Sequence, residues 1–108
     1  MKRILLIVAF AMLLAIPAWG ANLEAITVDN TAGGVALTTS YVDNSSMCFM
    51  TLETGQIRWT IDGTAPTTTV GHLLEIGQTL TFNSRQQCRG FRAIRTGTTS
   101  GALKVTYW

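Results

Sequence analysis

Histidine appears once in this sequence, cysteine and proline twice each, and only 13% of its 108 residues are charged. Each shortage closes a class of function. One histidine, His72, and two cysteines, Cys48 and Cys88, are too few for the usual four-ligand structural zinc site, so no metal is expected. A catalytic triad would have to use His72. Its neighbours Gly71 and Leu73 read instead as a packed turn, and no nucleophile-elbow sequence accompanies it. The carboxylates are scattered, mostly in turns, and form no apparent acid–base pair. Walker A, dinucleotide-binding and EF-hand patterns are all missing. The expectation is a protein with no catalytic residues and no cofactor.

There is a single long apolar run, Ile4 to Ile16, and it follows Lys2 and Arg3. Pro17 then breaks any helix, and Ala18-Trp19-Gly20 places small residues where a signal peptidase reads. This pattern predicts a secretory signal peptide over residues 1–20, cleaved after Gly20, and a single domain over 21–108. Thirteen apolar residues are short of the about 20 that a membrane span needs. No cysteine follows the run to make a lipoprotein anchor. A secreted or periplasmic protein with no stable membrane anchor after cleavage is therefore expected.

The formal net charge of +2 comes from Lys2 and Arg3 alone. Beyond Gly20, Arg58, Arg85, Arg89, Arg92, Arg95 and Lys104 balance Glu24, Asp29, Asp43, Glu53, Asp62 and Glu75. A neutral domain has no global field to draw it to nucleic acid or to an anionic membrane, and no nucleic-acid partner is expected.

After Gly20 the periodicity is that of strands, with apolar residues at alternate positions among Thr, Val, Ile and aromatics. Strands are predicted over Glu24–Val28, Val35–Val42, Met47–Glu53, Gln56–Asp62, Ile76–Phe82, Phe91–Thr96 and Ala102–Trp108. In Gln56–Asp62 the residues Ile57, Trp59 and Ile61 share one face. Asp62 to Thr67 is a loop, with Gly63 suited to a positive φ and Asp62 to bonding the backbone that follows. Gly71 and His72 fall in a connection, and Asn83 to Gly90 is polar and irregular, with room for a helical turn. About seven short strands with a turn signal every eight to twelve residues indicate an all-β fold, an antiparallel β-sandwich of immunoglobulin-like or jelly-roll-like kind.

Export would carry Cys48 and Cys88 into an oxidising compartment, where a disulfide between them is the expectation and two separate buried thiols the alternative. Arg92, Arg95 and Trp108 are the candidate ligand contacts. The arginines belong to the one local concentration of charge, Arg85 to Arg95, although a strand would turn Arg92 and Arg95 to opposite faces. Trp108 is out of phase with Tyr107, whereas Trp59 shares the phase of Ile57 and Ile61 and reads as core. A terminal aromatic is also a mark of outer-membrane barrel strands, but Lys104 and Thr106 occupy positions that lipid would need apolar.

Ile57-Arg58-Trp59-Thr60-Ile61-Asp62-Gly63-Thr64-Ala65-Pro66-Thr67, Val70-Gly71-His72-Leu73-Leu74, Phe91 to Gly97 and Leu103 to Tyr107 resemble a group of small proteins from tailed phages and prophages. That resemblance covers about half the chain and implies a virion-associated β domain, without established functional residues to carry over. Arg58 to Thr67 is also similar to the Y-T-x-D-G-x-x-P-T signature of chitobiase-type C-terminal β-sandwich modules, which accompany carbohydrate-active enzymes. The signal peptide and the cysteine pair depart from the phage pattern, since virion assembly in the cytoplasm needs neither. Two functions are therefore expected to compete. One is a non-catalytic structural or interaction domain of phage-like ancestry, with a protein partner or self-association. The other is a small carbohydrate-binding module, with Trp108 or Tyr41 as its aromatic platform and a glycan as its ligand.

Overall fold

A computed structural model describes residues 21–108, and the expected signal peptide lies outside them. Eight strands and two short helices follow in order: β1 (Asn22–Val28), β2 (Val35–Ala36), α1 (Thr39–Asp43), β3 (Cys48–Thr54), β4 (Ile57–Thr60), β5 (His72–Leu74), β6 (Thr79–Phe82), α2 (Arg85–Gly90), β7 (Arg92–Arg95) and β8 (Gly101–Tyr107). They form two four-stranded sheets, ordered β1-β8-β3-β6 and β2-β7-β4-β5, in which every pairing is antiparallel. This all-β arrangement is consistent with a β-sandwich. Among the described residues no helix is long and apolar enough to cross a membrane.

Alternation decides which side chains enter the core. In β8 Leu103, Val105 and Tyr107 are buried, and in β3 Cys48, Met50 and Leu52 are buried beside them. Ile57 and Ala93 come from the second sheet, and Trp59 packs against the same cluster. Trp59 meets Phe82 of the opposite sheet edge-on, with ring centroids 5.5 Å apart, and stacks on Phe91 at 6.3 Å. The two sheets approach closely at Gly101, where a β-carbon would sit 2.6 Å from Ile57 Cγ2. Cys48, the first residue of β3, is disulfide-bonded to Cys88 of α2, and both are fully buried. The bond fastens the helix over one end of the core.

Two segments differ from the sequence reading, and a third, Asn83–Gly90, takes the helical turn for which that reading left room. The strand predicted over Val35–Val42 stops at Ala36, and α1 follows. A strand would send Tyr41 and Val42 to opposite faces. The helical turn brings Val42 into the core and stacks Tyr41 on Tyr107 at 5.2 Å, and Asn44 Nδ2 donates to the Ser40 carbonyl at its end. The irregular stretch Asn83–Gly90 holds α2, capped by Ser84, whose hydroxyl accepts from the Gln87 N–H. His72–Leu74, read as a connection, is an eighth strand paired with β4. Three residues are too few to show a period.

Candidate interaction surface

Residues 61–71 build a cover over one sheet, with an open cleft beside it. From Thr60 the chain folds over the outer face of the β2-β7-β4-β5 sheet, and Pro66 becomes fully buried. Gly34 lies directly beneath it, with φ +87°, and a β-carbon there would stand 2.9 Å from Pro66 Cγ and 3.0 Å from Arg92 Cβ. The Arg58 guanidinium donates to the Thr68 and Gly71 carbonyls at 2.9 and 2.8 Å and holds the far side of the loop. Thr67 Oγ1 accepts from the backbone N–H groups of Thr69 and Val70.

Between this loop and the β4–β5 pair lies an open cleft of about 400 Å³ that contains Asp62 and His72. Its polar groups serve the loop. Thr60 Oγ1 donates to the Thr64 carbonyl at 2.6 Å, and Asp62 Oδ1 accepts from the Thr64 N–H at 3.0 Å. Hydrogen bonding to Thr64 holds the Asp62 carboxyl below the usual carboxylate range. The His72 ring lies tilted against Trp59, ring centroids 4.8 Å apart, and among the described residues no hydrogen bond joins it to a carboxylate or hydroxyl. No group of three His, Cys, Asp or Glu is placed to hold a metal ion among the described residues.

Of the four arginines only Arg89 and Arg92 come together, lining one small cavity of about 90 Å³ with Asp43. Arg92 lies on the outer face of its sheet opposite Thr60 and Ala36, and donates to the carbonyls of Arg89 and Phe91. Arg95 has the opposite phase, in line with Ile57 and Leu74, and donates to Ser100 Oγ at 3.2 Å. Arg85 donates to the Ser45 carbonyl, and Arg89 pairs with Asp43 at 2.7 Å. Trp108 belongs to the other sheet. Tyr41 is half-buried against Tyr107 and forms no open platform.

Beyond Trp108, the sequence did not mark the outer face of the β1-β8-β3-β6 sheet. The register aligns Leu23, Thr106, Phe49 and Thr81 across its four strands. Reciprocal backbone bonds of 3.1 Å between Trp108 and Met47 extend the β3–β8 ladder by one pair, which places both side chains on this same face. Leu23 is 70% exposed and Trp108 45% exposed, with Phe49 and Met47 half-buried between threonines. The chain matches no protein-family model, and no curated protein matches it.

Proposed function

We propose that the protein is an exported, non-catalytic interaction domain, built on an immunoglobulin-like or jelly-roll-like sandwich of phage-like ancestry, that works through protein–protein contacts. The observation that carries this reading is the Leu23–Phe49–Met47–Trp108 band on the outer face of one sheet. Apolar and aromatic side chains grouped on one sheet face favour a dehydrated contact with another protein. The buried Cys48–Cys88 disulfide is consistent with an oxidising compartment, secreted or periplasmic. Neither nucleic acid nor a stable membrane anchor belongs to this reading.

The test compares the protein with its Trp108→Ala and Leu23→Ser variants as immobilised bait against envelope extracts and induced phage particles. A defined protein retained by the wild type and lost from variants with unchanged circular dichroism supports the reading. Equal retention by all three, or none by any, overturns it.

A second reading rests on Trp108 alone. Its exposed indole beside threonine hydroxyls also suits a sugar ring. Retention on a polysaccharide column, with a fluorescence change abolished by Trp108→Ala, would favour a carbohydrate-binding module.

A further inference from the structure

Two four-stranded sheets have four edges, and this protein treats them unequally. Three edge strands are short: β2 has two residues, β5 three and β6 four. Brevity is one of the ways in which native sheets blunt an edge. The fourth edge, β1, runs for seven residues and pairs with β8 in unbroken register from Asn22↔Tyr107 to Val28↔Gly101. Among the described residues it pairs with β8 alone, so alternate backbone N–H and C=O groups along its other side face outward.

Of the usual guards this edge carries only an inward-turned charge, Glu24. Asn22–Val28 contains no proline, glycine, lysine or arginine, and no bulge interrupts it. Its one charge is Glu24, and that carboxylate is turned onto the protein itself. It accepts hydrogen bonds from the hydroxyls of Tyr107 and Thr38.

We propose that β1 pairs antiparallel with β1 of a second copy of this chain, joining two four-stranded sheets into one of eight strands. The proposal rests on the reading that the protein works by protein contact, and it names one such partner. Three features favour a second copy over an unrelated strand. A two-fold axis at Ala25 pairs all seven residues of β1 and sets the smallest side chain of the strand against itself. In that register Glu24 faces Ile26 of the second copy, whereas an axis at Glu24 would oppose two carboxylates. Finally, residues 21–108 carry as many acidic as basic side chains, so two copies meet without net repulsion. The exposed Leu23 side chain then gains the Thr27 methyl group of the second copy as a neighbour.

The register gives the test its specificity. No free cysteine exists among the described residues, so an introduced thiol on β1 reports on its own position. The full chain is expressed, the protein recovered, and its mass in solution measured over a range of concentrations by sedimentation velocity. Air oxidation of four variants is then compared: Ala25→Cys, Leu23→Cys, Thr27→Cys and the Leu23→Cys/Thr27→Cys pair. We expect a dimer, with covalent dimers from Ala25→Cys and from the double variant, and none above background from either remaining single variant. Ala25→Lys, which opposes two ammonium groups on an exposed position, should abolish the dimer without changing circular dichroism. A monomer at every concentration overturns the proposal. So does a dimer in which Leu23→Cys cross-links as well as Ala25→Cys. A monomer that still captures a partner through Trp108 overturns this inference and leaves the contact function standing. A monomer that captures nothing removes both.

Discussion

The Tyr107 hydroxyl donates a hydrogen bond to Glu24 Oε1 at 2.7 Å, fastening central strand β8 to edge strand β1 on the inner side of their sheet. The ring is buried and stacked on Tyr41, while Glu24 also takes the Thr38 hydroxyl. Burial, then the hydrogen bond to Glu24 and its negative charge, raise the phenol far above its ordinary value of 10.0. The folded state therefore keeps a proton that the unfolded chain releases at alkaline pH. Stability is fully present below about pH 10 and should fall above it by about 1.4 kcal/mol per pH unit. Tyr107→Phe should cost about 1–2 kcal/mol at neutral pH and flatten that alkaline decline. Urea unfolding of both proteins across the alkaline range measures the difference.

The disulfide closes a loop with a sequence separation of 40. Chain entropy predicts that removing it destabilises the fold by about 4 kcal/mol. A Cys48→Ala/Cys88→Ala variant should unfold at markedly lower denaturant, and reductant should affect the wild type only after unfolding exposes the bond. Denaturation curves with and without dithiothreitol distinguish these cases.

Gly33 and Gly34 both have positive φ, yet only Gly34 lies under Pro66. Gly33→Ala should cost about 1–2 kcal/mol, the penalty of a left-handed conformation. Gly34→Ala adds the collision with Pro66 and Arg92 and should be clearly worse. Thermal melts of the two variants report that contact as a difference.

Two arginine deletions should separate in the same way. Arg58→Ala removes both bonds that hold the loop at Thr68 and Gly71 and should cost about 1–2 kcal/mol, with faster amide exchange over residues 67–71. Arg89→Ala breaks an exposed ion pair with Asp43 and should cost under about 1 kcal/mol. Comparable losses in the two variants would contradict this assignment.

Strand class was written plainly where alternation was long. Leu103, Val105 and Tyr107 announced β8, and Ile57 and Trp59 announced β4. The disulfide expected between Cys48 and Cys88 is present. Asp62 bonds the Thr64 N–H and Gly63 takes a positive φ, as the turn chemistry required. Tyr41 and Val42 misled, because β-formers there are held in a helical turn by burial of Val42 and by the Tyr41–Tyr107 stack, which only the folded chain creates. Of the candidate interaction surface only Trp108 was legible, for a related reason. Leu23, Phe49 and Trp108 are far apart along the chain and become neighbours only through the β1-β8-β3 order. Periodicity gives the face of a strand but not the identity of its neighbours.

That strand order has a bearing on when the protein can fold. β8 is the last of the described strands to leave the ribosome, yet it is the strand that β1 and β3 both require. Until Gly101–Tyr107 emerges, β1 has no neighbour and the sheet is only a β3–β6 ribbon. Synthesis from the amino end thus leaves β1 unpaired until the last described strand emerges. Under the proposed export, a translocation pore that admits only extended polymer would receive a chain whose first sheet is keyed to the last described strand and so could not close ahead of it.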